Sequence, residues 1–520
     1  MLTFQKQKSN LLSRHQMNTV RSFVCIVYLV LVSNTAKSQF TNMNWAFGDS
    51  SGIHFSATGV DSTYRTAVNA RGSCAAISNA AGQLLFYAAS PDLELVQLAT
   101  IIEEGRIYNK NHQMMEGGDS LACQGWYGEM MILPWPDSSH KFAVVHSMAT
   151  SGARLSYSVV DLTYNNGLGK VVSKNNILAY GNICDGMTAI RHGNGRDWWI
   201  LFRKWFATTN FFYKILLTPN GFSGITTQQI GKAVNASKYT LIPSEDGEMM
   251  VGIGAAGDSV VESFGFDRCT GQLSNHRIIY NGDISPAIYF WDGALSASGR
   301  YLYLSNDGNA PPSVLYQLDL HDSLSWDHRV VVDSTDTLEL VGAALRLAPN
   351  GKIYRSDWWC KFLMICYPFE DTAISPVNTH LSVINTPDSG GLSCNYVGLG
   401  QYLGGYRTYL GLPKNINVTL GVKTGSACDT LTTAMGEEPE TAPIYIYPNP
   451  ARDRVQVSLP FRPPIEGVEY TLSDVCGRTV QQGKLHYITN EININQLPAG
   501  MYVVIVKAVN SVFQSRLIKY

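Results

Sequence analysis

His192-Gly193-Asn194-Gly195, leading into Trp198-Trp199-Ile200-Leu201, is the first of four matching segments whose reading decides the fold of this chain. The arrangement returns as Ser244-Glu245-Asp246-Gly247 before Met249-Met250-Val251, as Ser296-Ala297-Ser298-Gly299 before Tyr301-Leu302-Tyr303-Leu304, and as Ala348-Pro349-Asn350-Gly351 before Ile353-Tyr354. The glycines fall at 195, 247, 299 and 351, a constant spacing of 52 residues. Glycine accepts the positive φ of a tight hairpin turn, so each unit reads as a small β-meander. A fixed period of this size means a propeller or another stacked array. Looser copies precede it: Ile77-Ser78-Asn79-Ala80-Ala81-Gly82 before Leu84-Leu85-Phe86-Tyr87, and Asp137-Ser138-Ser139-His140 before Phe142-Ala143-Val144-Val145.

The region 39–413 divides into about seven such units, and a seven-bladed ring closes such sheets without long edges. Closure is expected from the strand Asn44-Trp45-Ala46-Phe47-Gly48 pairing into the last blade near Tyr396 to Tyr409. Apolar residues at helical spacing with proper caps are scarce, which disfavours an α/β enzyme fold.

The 520-residue chain is too long for one ordinary core, and 45% hydrophobic with 15% charged residues marks a globular protein of two or more domains. A formal charge of -2, with no basic arm or patch, argues against nucleic acid as a partner. Arg14 and Arg21 precede the apolar run Ser22 to Val32 and the small-residue site Ala36-Lys37-Ser38, so residues 1–38 read as a signal peptide. Nine cysteines follow it, and an odd number in an oxidising compartment leaves at least one unpaired. Cys360 and Cys366 are near enough for a local bridge, with buried thiols the equal alternative.

The last eighty residues have their own character. Ile444-Tyr445-Ile446-Tyr447-Pro448-Asn449-Pro450, Val455 to Leu459, Tyr470 to Asp474 and Leu497 to Val506 are strand-length apolar or alternating pieces between Pro, Gly and Asn, the pattern of a compact β-sandwich. This stretch resembles the type IX secretion (Por) C-terminal sorting domain of Bacteroidota. The match lies in Tyr447-Pro448-Asn449-Pro450, in Leu472-Ser473-Asp474-Val475-Cys476-Gly477-Arg478, and in Leu497-Pro498-Ala499-Gly500-Met501-Tyr502. The resemblance implies an Ig-like sandwich read by the type IX machinery, export through the periplasm, and frequent removal of the domain with attachment of the cargo to surface lipopolysaccharide. It assigns the sorting motif to Tyr447, Pro448, Asn449, Pro450, Asp474, Gly477, Leu497, Gly500 and Tyr502. The middle region is similar to the propeller-type region often found ahead of this domain, through Trp45-Ala46-Phe47-Gly48, Ile107 to His112, Leu155 to Leu162, Arg191 to Trp199 and Phe266 to Gly271. Residues 414–443, rich in Thr, Gly, Ala and Glu, read as a linker.

Candidate chemistry is sparse. Asp197-Trp198-Trp199 and Asp357-Trp358-Trp359 set aromatics beside a carboxylate, as a sugar-binding surface does, although packing between blades explains tryptophans as well. His112, His146 and His192 sit in different units and meet only if the mouth of the ring gathers them. Asn306-Asp307-Gly308-Asn309 has oxygens for a hard cation but is shorter than an EF-hand loop, and reads better as a turn. No nucleophile elbow, zinc-protease helix or phosphate-cradling loop is present, so no catalytic residue, metal or cofactor is assigned. The expectation is an all-β chain: residues 1–38 a signal peptide, 39–413 a seven-bladed propeller, 414–443 a linker and 444–520 the sorting domain. Its role is expected to be that of a secreted or cell-surface binding protein with an extracellular glycan or protein ligand. A polysaccharide hydrolase or lyase is the alternative.

Overall fold

The computed structural model describes residues 42–520 except 71, 91–104, 149–151, 206–209, 256–258, 283–287, 307–312, 336–339, 360–373, 430–443, 460–462, 465, 475–477 and 509–510. The signal peptide, Cys360, Cys366, Cys476, Gly477 and Asp307 to Asn309 lie outside the described residues. Two compact units are present, 1–430 and 431–520.

Each period of the first unit becomes an antiparallel meander. The inner strands of blades four to seven are Thr188–Arg191, Lys238–Pro243, Phe290–Leu295 and Leu340–Leu347, and each is hydrogen-bonded to the next strand in sequence. The glycines that mark the repeat sit in the turns between first and second strands, with φ of 73°, 70°, 74° and 74° at 195, 247, 299 and 351. Their N–H groups donate to His192, Ser244, Ser296 and Ala348, each at 2.9 Å. Positive φ costs an L side chain but not glycine, which is why the period is written in glycine. Blade two carries the same turn at Gly82, and blade three holds Asp137 at φ 58° in the corresponding place. Three earlier sheets, built on Asn44–Phe47, Cys74–Ser78 and Met130–Pro134, bring the number of blades to seven.

Apolar clusters join the blades in a closed circuit. Phe86, Ile107 and Phe142 join blades two and three; Leu133, Trp198 and Ile200 join three and four; Phe212, Tyr239 and Phe264 join four and five. Ile253, Phe290 and Leu302 join five and six, and Tyr303, Leu345 and Ile353 join six and seven. The last cluster holds Trp45, Phe55, Tyr87 and Tyr354 together, which closes blade seven onto blades one and two. Trp45 meets Phe55 and Tyr354 edge-on at 4.9 and 5.8 Å, an arrangement favourable beyond simple burial.

Closure differs from the expected strand insertion. Asn44–Phe47 pairs with Asp49–Phe55 as the inner strand of its own blade. The contact with the end of the ring is instead made by Arg407, which bridges to Asp49 and Ser50 and whose guanidinium pairs with the Asp49 carboxylate at 2.6 Å. The large aromatic seam removes the need for a shared strand.

The second correction concerns the stretch read as the start of the linker. Residues 410–429 return to the ring: Ala344 donates to the Leu410 carbonyl, Lys414 N–H donates to Cys74, and Lys423 N–H donates to Gly193. Ile416 and Val418 are buried with the cluster of blades three and four. Cys428 forms a disulfide with Cys269, 159 residues away in the blade-five hairpin. Low apolar content hid this, because fewer side chains are needed where backbone groups find partners in several blades. Gly411 is packed so close to Gly72 that a Cβ would lie 2.2 Å from its Cα. Cys74, Cys123, Cys184 and Cys394 are buried thiols.

The second unit is a sandwich of a three-stranded sheet, Tyr445–Tyr447, Arg454–Ser458 and Thr489–Asn493, and a four-stranded one, Thr479–Leu485, Val468–Asp474, Gly500–Ala508 and Ser511–Lys519. Its core includes Val455, Val457, Leu472, Tyr502, Val504 and Leu517.

Candidate functional site

The axis of the propeller gathers charge that no local motif announces. Glu129 and Asp185 lie just ahead of the inner strands of blades three and four. Lys238, Asp292 and Arg346 lie on those of blades five, six and seven. Lys414 enters on the returning segment, 8% exposed. Cavity walls drawn from Tyr127, Asp185, Lys238, Asp292, Arg346 and Lys414 place all of them on the axis, since only the axis touches five blades.

Each charge but one has a local answer. Asp185 accepts backbone N–H groups from Tyr127 and Gly128 at 3.1 and 2.6 Å, yet burial still pushes its carboxyl up. Lys238 donates to the Trp291 carbonyl and stands 4.0 Å over the Trp291 ring, a cation–π contact. Arg346 pairs with Asp292 at 2.5 Å. Burial, with Asp185 nearby, pushes Glu129 up to about 8, against amide donors from Gln124 and Trp126. The Lys414 ammonium has no hydrogen-bond partner among the described residues, and neither has Arg346 Nε. Burial first, then the facing Arg346, brings Lys414 down to about 7, with Asp185 and Asp292 opposing and Lys238 adding to the fall.

An axial cavity of about 120 Å³ adjoins these charges and runs between the inner strands of blades four to seven and residues 414–417. Thr188, Thr240, Leu241, Leu295, Arg346 and Lys414 are among its walls. Such a space, partly apolar with a few converging polar groups, is a small-ligand site in form.

The sequence-derived residues are placed elsewhere. Trp198 and Trp199 are buried and point to opposite neighbours, Trp198 Nε1 donating to Pro134 in blade three and Trp199 Nε1 to Arg268 in blade five, both at 3.0 Å. They hold blades together and present no stacking face to a sugar. Asp197 is buried, pairs with Arg196 at 2.7 Å and accepts from Asn194, fixing the repeat turn. Asp357 is buried against Arg355 and Ser382 in blade seven. Trp358 and Trp359 end the strand Ile353–Trp359, with side chains outside the described residues. The three histidines remain apart: His112 bonds Tyr87, His192 bonds Cys269, and His146 is fully buried, donating to Ala122 and accepting from Ser158, with burial bringing it down to about 4. Among the described residues, no group of three His, Cys, Asp or Glu side chains is placed to hold a metal ion.

In the second unit the motif residues do structural work. Asn449 bonds both Arg516 and Ile518, which ties the entry loop to the last strand. Asp474 pairs with Arg478 at 2.7 Å, the buried Tyr502 donates to Pro498, and Leu497 packs on the core. Gly500 opens the strand Gly500–Ala508. Tyr447, Pro448 and Pro450 are exposed.

Comparison with known proteins adds a family for this unit. Residues 445–520 match the secretion system C-terminal sorting domain. No curated protein matches the chain. Among solved structures, PorZ, an essential surface component of the type IX secretion system of Porphyromonas gingivalis, is similar over 84% of this chain at 13% identity and a TM-score of 0.33, and the chain spans 58% of its length. Pseudomonas aeruginosa periplasmic gluconolactonase PpgL covers 71% of this chain and 98% of its own at 12% identity and a TM-score of 0.43. The propeller domain of Myceliophteria thermophila Cps50 covers 63% and 94% at 11% identity and a TM-score of 0.34. All three scores are below 0.5, and the propeller assignment rests on the seven sheets and their closed circuit. Behind that propeller, residues 445–520 are a type IX secretion C-terminal sorting domain, which marks the chain for export through the periplasm to the cell surface or beyond.

Proposed function

We propose that this is an extracellular binding protein of a Bacteroidota species, with the propeller as the binding module and the sandwich as its export signal. The axial cavity carries this reading: it is walled by four blades and by a segment of the chain that a disulfide anchors, which is a rigid frame for a ligand. A glycan or a protein loop entering the ring is the occupant this frame suits. Asp197 and Asp357, the carboxylates beside the paired tryptophans, lie in blades four and seven and each is held by a neighbouring arginine, which favours binding over turnover.

The sorting domain engages the type IX machinery, and joining of the cargo to surface lipopolysaccharide belongs to this proposal. A cut between 430 and 444 leaves the returning segment and its disulfide with the propeller. The test is to purify the exported protein, find its C-terminus by mass spectrometry, and screen it on a glycan array while following the glycans for breakdown. Retention of the glycans on the protein without breakdown is expected. Release of shortened glycans would overturn the binding reading in favour of a hydrolase or lyase.

A further inference from the structure

We propose that the axial cavity binds a small ligand through a carboxylate, held by Lys414 and Arg346. This rests on the binding reading above and gives the ligand its chemistry. Two buried donors, Lys414 Nζ and Arg346 Nε, find no acceptor among the described residues, and both belong to the walls of one cavity. Buried polar groups without a partner are uncommon and call for one.

The charges around them decide its sign. Lys238, Arg346 and Lys414 face Asp185 and Asp292, while Glu129 behind Asp185 holds its proton near neutrality. Asp292 is occupied by Arg346 and Asp185 by two backbone amides, so one positive charge is left over at the unpartnered donors. Water satisfies a donor but not a charge. A monoanion satisfies both, and a carboxylate has two oxygens for an ammonium and a guanidinium N–H. A phosphate dianion brings more charge than the site lacks, and the monoanion that prevails at pH 6 meets the two donors no better than a carboxylate does while burying two P–OH groups as well. Beyond the donors, the hydroxyl-bearing Thr188 and Thr240 and the apolar Leu241 and Leu295 line the rest of the space, which suits a small body with both hydroxyls and carbon faces.

The experiment is titration calorimetry of the exported protein with sodium D-glucuronate, sodium acetate, D-glucose and inorganic phosphate at pH 6 and pH 8.5. Glucuronate and acetate bind, glucose does not, and both carboxylates bind at least fivefold more weakly at pH 8.5, where Lys414 has lost its proton. Lys414→Met weakens glucuronate at least tenfold without lowering thermal stability, because it removes an uncompensated buried charge; Arg346→Gln is the second variant. The proposal is overturned if glucuronate and acetate bind no better than glucose, if phosphate at pH 6 binds more tightly than acetate, or if Lys414→Met binds like the parent. Array ligands that persist undiminished in Lys414→Met would overturn the carboxylate site while leaving the binding reading in place.

Discussion

The sandwich and the axis of the propeller hold the residues singled out above in opposite ways. In the sandwich, three short motifs lie along the strands and loops they shape: Asn449 ties the entry to the last strand, and Tyr502 closes onto Pro498 four residues earlier. On the axis, Lys414 meets Asp185, Lys238, Asp292 and Arg346, each from a different blade. A site of the first kind is local, built by residues that shape their own strands and loops. A site of the second kind exists only once the ring has closed and the chain has returned into it.

The contrast is sharpest for export. Deleting 444–520 is expected to abolish appearance of the protein outside the cell and leave it in the periplasm, while Lys414→Met leaves export at the parental level. Immunoblots of culture medium, surface and periplasm check both, and undiminished export of the truncated chain would refute the division of labour.

Next in size is the covalent anchor. Cys269 and Cys428 close a loop with a sequence separation of 159. Cys428→Ser is expected to lower stability by about 2–4 kcal/mol, with the loss concentrated in segment 410–429. Chemical unfolding of oxidised and reduced protein reads it, and equal midpoints would mean that the segment is held by its other contacts alone.

Lys414 gives an effect of opposite sign. Its folded value, about 7, is below the ordinary 10.5, so between these the unfolded chain binds a proton that the folded chain lacks. Stability therefore rises as pH climbs from about 7 towards 10 and is lowest below 7, where the buried ammonium is charged. Lys414→Met is expected to stabilise by a few kcal/mol at pH 6 and by much less at pH 10. A pH-independent difference would contradict the buried, unpaired amine. The smallest effect is in the repeat turn: Gly299→Ala forces φ 74° on a side chain that meets Ser244 and Met249 at ordinary contact distance, and should cost about 1 kcal/mol.

What was legible in the sequence follows the same contrast. The turn glycines announce the blades because a positive φ restricts the residue type, and the sandwich motifs announce themselves because they shape their own loops. Trp198 and Trp199 were visible but ambiguous, since an aromatic beside a carboxylate serves a blade interface as readily as a sugar. Lys414 and its partners were not legible. They are separated by up to hundreds of residues, and the segment carrying Lys414 is polar enough to read as linker, because its burial comes from backbone hydrogen bonds and a distant cysteine. Only an early break in the expected linker, the apolar alternation Ile416, Val418, Leu420, carried a local hint.

The central claim, that the chain beyond blade seven is part of the ring's axis, is tested most directly by hydrogen exchange of individual amides in the exported protein. The Lys414 and Lys423 amides, which donate to Cys74 and Gly193, should exchange as slowly as those of the inner strand Lys238–Pro243. Exchange of both at the rate of an unstructured linker would contradict it.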